Sequence, residues 1–168
     1  ENFIKIINEC KNNTIQIITF LDKEYPQELK VLQSPPLTLF LKGNIDLLYQ
    51  KNKIAIVGTR EPSQKAIDYT LSLSNFLVSK DYTVVSGGAL GIDTAAHKGA
   101  LDFENGKTIC VLGAGFNYLY PHENIALFEE IEKRGLLISE YLPTFRGSNI
   151  SYLQRNRITS GLSESVFL

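Results

Sequence analysis

From Lys53 onward the chain repeats one unit: a short apolar run, a turn carrying glycine, then apolar residues at helical spacing. Lys53 to Val57 runs into Gly58, and Ala66, Tyr69, Leu73, Phe76 and Leu77 follow at helical spacing. Pro62 stands where a first helical turn accepts it. Thr83-Val84-Val85 ends in Ser86-Gly87-Gly88, and a helix is predicted from Ile92 to Leu101. Thr108 to Leu112 ends in Gly113-Ala114-Gly115; the next helix is predicted from Asn124 to Arg134, broken by Gly135. Leu136-Leu137-Ile138 reads as a fourth strand, Leu153 to Leu162 as a helix, and Val166-Phe167-Leu168 as the start of a fifth strand. Strands this short and apolar, alternating with helices, form a parallel sheet covered on both faces. The predicted fold class is therefore α/β: a Rossmann-like, doubly wound, mostly parallel sheet.

The predicted division places this domain at residues 51–168 and, at 1–50, a small N-terminal extension or a partial small domain. In the extension, Thr14 to Phe20, Pro26 to Leu32 and Leu37 to Leu41 predict strand, helix and strand pieces, with Pro35-Pro36 between them. The chain opens at Glu1 without any Met and stops within the fifth strand, so a trimmed piece with an incomplete domain is expected. No apolar run is long enough to span a bilayer, and Glu1 to Lys11 is amphipathic and charged where a signal peptide would be apolar. Cys10 and Cys110 show no partner spacing, which suits a reducing cytosol and argues against zinc. A cytoplasmic protein without a membrane partner is expected. The net charge of −1 weighs against a broad basic surface, so any nucleic-acid binding must gather a few cations locally.

In an open parallel sheet, ligands bind outside the carboxyl ends of the strands. There the sequence places Gly58, Thr59 and Arg60; Ser86, Gly87, Gly88, Ala89 and Gly91; and Gly113 and Gly115. A glycine turn entering a helix aims backbone N–H groups at one spot where an anion is favoured. The three glycines between Ser86 and Ile92 exceed what a tight turn requires and favour a phosphate seat. The Gly113 to Gly115 turn stays open between the two readings. Arg60 reads either as a solvated surface arginine or as a fork gripping phosphate oxygens. Lys98 is either a solvated helix residue or a second phosphate contact. Arg155 and Arg157 cannot share one helix face; one can reach a ligand while the other pairs with Asp93 or Glu140. Phe116, Tyr118 and Tyr120 read as core aromatics or as base-stacking groups.

Little points to catalysis. The G-x-G-x-x-G fingerprint, the P-loop and the G-x-S-x-G elbow are missing, as is a metal-ligand cluster, so no cofactor and no metal is expected. The rival reading is a nucleotide-processing hydrolase on a related Rossmann-like fold; its P-G-G-x-G-T motif is not found, and Ser86-Gly87-Gly88 leads to Asp93 instead.

Five ordered runs carry a resemblance: IAIVGTR (Ile54 to Arg60), VVSGGALGIDTAAHKGAL (Val84 to Leu101), GKTICVLGAGFNYLYPHEN (Gly106 to Asn124), LLISEY (Leu136 to Tyr141) and RNRITSGLSESVFL (Arg155 to Leu168). With the lead-in YPQELKVLQSPPLTLFLKG (Tyr25 to Gly43), they resemble the DprA/Smf family, DNA-processing protein A. The resemblance implies a domain that binds and protects single-stranded DNA, dimerises in the full-length protein, and delivers the RecA recombinase during natural transformation, without an enzymatic reaction. It places the DNA-contacting rim on Arg60, Ser86 to Gly91, Lys98, Arg155 and Arg157, with Gly113 to Phe116 lining the next part of the groove. Thr59 stands where serine is commoner, and the run Gly88-Ala89-Leu90-Gly91 lacks a basic residue that many relatives carry.

Overall fold

The computed structural model describes residues 3–168; Glu1 and Asn2, the start of the amphipathic stretch, lie outside the described residues. Its strands are β1 (Gln16–Thr19), β2 (Thr38–Gly43), β3 (Lys53–Ile56), β4 (Thr83–Ser86), β5 (Thr108–Leu112), β6 (Leu136–Ser139) and β7 (Ser165–Phe167). Its α-helices are α1 (Phe3–Asn12), α2 (Gln27–Lys30), α3 (Gln64–Ser79), α4 (Ile92–Leu101), α5 (Ile125–Arg134), α6 (Asn149–Gln154) and α7 (Asn156–Gly161). The strands form one sheet in the order β1-β2-β6-β5-β4-β3-β7. From β6 to β7 neighbouring strands are parallel, whereas β2 joins β6 and β1 joins β2 antiparallel. The α/β, Rossmann-like expectation holds, and the leading segment contributes two strands to the same sheet, β1 at its edge and β2 between β1 and β6.

Period-2 alternation explains how the strands are covered. On β5, Ile109 and Val111 face a core completed by Leu29 of α2, Leu47 and Leu48 of a 3-10 turn, and Ile158 of α7. Cys110 and Leu112 point the other way, against Leu127, Phe128 and Ile131 of α5. On that same side of the sheet, Ile54 and Ile56 of β3 meet Leu77 and Val78 of α3 and Ala96 and Ala100 of α4. Lys53 is buried, and its Nζ donates to Glu28 Oε1 at 2.8 Å and to the Leu48 carbonyl at 2.7 Å, which ties the leading segment to β3.

Two local expectations are corrected. Pro62 precedes α3 rather than opening it: Ser63 is the N-cap, its hydroxyl accepting from the Ala66 N–H. The helix expected from Leu153 to Leu162 begins earlier, at Asn149, because Ser148 and Ser151 form a capping box, and it divides at Arg155 into α6 and α7. Among the described residues no helix is long and apolar enough to cross a membrane.

The winding fixes where a ligand can enter. From β3 the chain moves through β4 and β5 to β6, then returns through α6 and α7 to β7 on the opposite side of β3. The strand order therefore reverses at β3, and the crevice at such a switch point is the usual ligand site of a doubly wound sheet.

Candidate nucleic-acid interface

A cleft of about 1010 Å³ opens at that switch point. Its floor is the turn after β3, from Val57 to Arg60, joined by Ala89 and Asp93 at the head of α4. Tyr69 and Leu73 of α3 with Phe167 and Leu168 form an apolar wall, and Tyr120, Tyr152, Asn149 and Asn156 bring polar and aromatic groups to the other side. A small hollow of about 60 Å³ adjoins these groups, lined by Arg60, Gly88, Ala89, Gly113, Tyr120 and Tyr152 among others. The Tyr120 and Tyr152 rings are 5.9 Å apart and tilted by 51°.

The second glycine turn is held from behind by its carbonyl oxygens. Gly87 O accepts from His97 Nε2 at 2.7 Å, Gly88 O from Asn124 Nδ2 at 3.0 Å, and Ala89 O from the Thr94 hydroxyl at 2.8 Å. Asn124 and His97 are both buried. Because a carbonyl only accepts, His97 carries its proton on Nε2, and Nδ1 faces the Thr108 hydroxyl at 2.7 Å. Burial, helped by the charge of Arg155, pushes the His97 pKa down to about 4 against the pull of the Gly87 bond, so the ring is neutral. Gly91 adopts φ +82°, and a Cβ there would stand 2.3 Å from the Thr59 carbonyl; only glycine lets the two turns close on each other. The Ile92 N–H donates to the same Thr59 carbonyl at 3.1 Å.

The arginines divide by what they touch. Arg155 is buried: it donates to the Val111 carbonyl, to Asn156 Oδ1 at 2.9 Å and to Asp93 Oδ2 at 3.4 Å. Its guanidinium lies over Gly87, where a Cβ would meet it at 1.9 Å. Desolvation raises the Asp93 carboxyl above the usual carboxylate range, with Arg155 pulling it back. Arg157 forms a two-pronged pair with Glu140, at 2.9 and 2.5 Å, and donates to the Ser34 carbonyl at 2.8 Å. Both arginines thus have carboxylate partners, the Asp93 and Glu140 that the sequence offered, where the sequence left one of the two free to reach a ligand. Arg60 is exposed, lines the cleft, and makes no ion pair or side-chain hydrogen bond among the described residues.

The structure brings together Gly58, Thr59, Arg60, Ala89 and Arg155 at the cleft, with Gly88 and Gly113 at the adjoining hollow. Ser86 sits beneath, its hydroxyl donating to the Ile56 carbonyl at 2.6 Å, and Gly87 lies under Arg155. Other expected residues stand apart. Lys98 lines a separate groove between α3 and α4, beside Leu71, Phe76 and Asp102. Gly115 packs on the loop at Leu142 and Pro143, and Phe116 packs against two core clusters. Arg157 does not line the cleft. Sequence reasoning passed over Tyr152, Asn149, Asn156 and Tyr69 as cleft residues, and Asn124 and His97 as the groups that hold the turn. Asn124 and His97 do fall in the runs that carry the family resemblance, but no spacing rule aims Asn124 at a turn 36 residues earlier. Among the described residues no group of three or more His, Cys, Asp or Glu side chains is placed to hold a metal.

The profile of the DNA recombination-mediator protein A family matches residues 16–168. The chain is 36% identical over 164 residues to the DNA processing protein DprA of Bacillus subtilis, an alignment that covers 98% of this chain and 55% of that protein. It is similar to the crystal structure of DNA processing protein A from Streptococcus pneumoniae, with a TM-score of 0.85 at 35% identity over 95% of this chain and 56% of that one. The Helicobacter pylori protein A, whose structure is described as giving insight into a unique single-stranded DNA binding mode, superposes with a TM-score of 0.81 at 34% identity over 90% of this chain and 67% of its own. The chain spans about half the length of the curated relatives it matches. It belongs to the DprA/Smf family, the DNA recombination-mediator protein A family.

Proposed function

We propose that the cleft at the switch point holds single-stranded DNA and performs no reaction on it. The observation that carries this reading is Arg60, a guanidinium without a carboxylate partner among the described residues, at the mouth of a large crevice and beside a glycine turn whose carbonyl oxygens are bonded away behind it. Three consecutive carbonyls turned inward favour the Gly88 and Leu90 N–H groups toward the cleft, the Ala89 N–H being taken by Asp93, and with Arg60 they seat a phosphate. Tyr120 and Tyr152 offer ring faces beside that seat, and stacking accepts any base. Gly58, Thr59, Ser86, Gly87, Gly88, Ala89, Gly91 and Gly113 shape the seat; Arg155 braces it from below through Asp93 and Val111. Lys98, Arg157, Gly115 and Phe116 contribute from outside the cleft, by charge or by packing. The carboxylate that a hydrolase would need, Asp93, is buried and tied to Arg155 and the Ala89 N–H, which supports holding over cutting.

In the longer protein that its relatives' lengths suggest, this cleft serves a cytoplasmic mediator that protects incoming single strands and delivers the RecA recombinase during natural transformation, working as a homodimer. Fluorescence anisotropy with labelled oligothymidine and unlabelled duplex competitor tests the core of this reading. Saturable binding that duplex DNA displaces poorly is expected; equal displacement by duplex, or no binding, overturns it.

A further inference from the structure

Outside the cleft, the loops after β5 and β6 are laced into one platform. The Gly115 N–H donates to the Phe145 carbonyl at 2.8 Å, and the Asn117 N–H to the Pro143 carbonyl at 3.0 Å. On this platform the Arg146 guanidinium lies over the Tyr118 ring, 5.1 Å from its centroid. Arg146 is exposed and makes no ion pair among the described residues, and Tyr118 is exposed too. The platform is continuous with the cleft: Gly147, next to Arg146, has φ +81°, and a Cβ there would stand 2.8 Å from the Tyr152 hydroxyl. A side chain at 147 would part the platform from the cleft wall.

Resting on the proposed single-strand reading, we infer that Arg146 and Tyr118 form a second subsite, which carries the strand out of the cleft past Tyr152 and over the loops after β5 and β6. The chemistry is complementary to a single strand. Arg146 offers a guanidinium to phosphate oxygens, and the exposed Tyr118 ring beneath it is of the kind on which a base stacks. The pair lies in a chain of net charge −1, so an exposed cation beside the cleft is a local feature and not part of a general basic surface. A duplex would present its bases stacked inward and offer Tyr118 nothing; a splayed strand uses both groups.

The test compares oligothymidines of about 4 and about 12 nucleotides, lengths that bracket one and several subsites. Anisotropy is read for the chain, for Arg146→Ala with Tyr118→Ala, and for Arg60→Ala. The double substitution is expected to weaken the longer strand about tenfold, to leave the shorter one unchanged, and to reduce the salt slope for the longer strand by about 0.7. Arg146→Lys with Tyr118→Phe retains charge and ring and is expected to keep most of the affinity. Arg60→Ala should weaken both lengths. Unchanged binding of the longer strand by the double variant, or equal loss at both lengths, overturns the second subsite while the cleft reading stands. A chain that binds neither length overturns the cleft reading and this subsite with it.

Discussion

Acidification should destabilise this protein through His97 more than through any surface group. The imidazole is fully buried, donates from Nε2 to the Gly87 carbonyl, and faces the Thr108 hydroxyl through Nδ1. Its pKa lies near 4 against an ordinary 6.5, so below pH 6.5 the unfolded chain takes up a proton that the folded chain refuses. Stability is therefore fully present above pH 6.5 and is lost as the pH falls toward 4. At about 1.4 kcal/mol per pH unit, the loss across that window reaches about 3 kcal/mol, a large share of the stability of an ordinary domain. His97→Gln keeps an N–H donor for Gly87 and cannot titrate. Urea unfolding of both proteins from pH 7 to pH 4 isolates the effect, because His122 and the carboxylates are common to both. The wild type should lose about 3 kcal/mol more than the variant over this range. Parallel pH profiles would show that His97 does not set the acid sensitivity.

The tight places around the glycine turn give further tests. Gly87→Ala drives a methyl group into the Arg155 guanidinium, and chemical denaturation should show a loss of about 1–3 kcal/mol. Arg155→Met strands the buried Asp93 carboxylate and should cost about 3–5 kcal/mol, while Arg155→Met with Asp93→Asn should cost less than the sum of the two single changes. On the proposed reading, in which Arg60 and a backbone nest supply the affinity, log affinity for oligothymidine should fall with log salt at about −0.7 per phosphate engaged, with a total slope of only a few phosphates; a slope near −10 would point to a broad basic surface instead.

Much of the fold was legible because the signal was local. Short apolar runs closed by glycine turns specify buried parallel strands, and the helices between them follow the 3.6-residue period through residues such as Ile92, Ala96 and Ala100. Arg60 was legible for the same reason, since the residue two beyond a strand-ending glycine must stand on the rim. The position of Lys98, left open between a solvated face and a phosphate contact, was not legible from proximity in sequence. Six residues beyond Ile92 it lies roughly 240° around the helix, which turns it away from the sheet and into the groove against α3. The arginine pair was open to the sequence only as alternatives, because the carboxylates that settle it are 62 and 17 residues away. The division of labour at the glycine turn was hidden more deeply. Its amide side is written in three glycines, whereas its carbonyl side depends on Asn124 and His97, contributed by elements that only the finished packing brings behind it.

Whether Arg60 grips a single strand at the switch point is read most directly from the oligothymidine affinity of Arg60→Ala alongside its thermal melt. An unchanged melt and a loss of about 1–3 kcal/mol in binding, roughly 5- to 150-fold, are expected. A folded Arg60→Ala protein that binds as tightly as the wild type would contradict that grip.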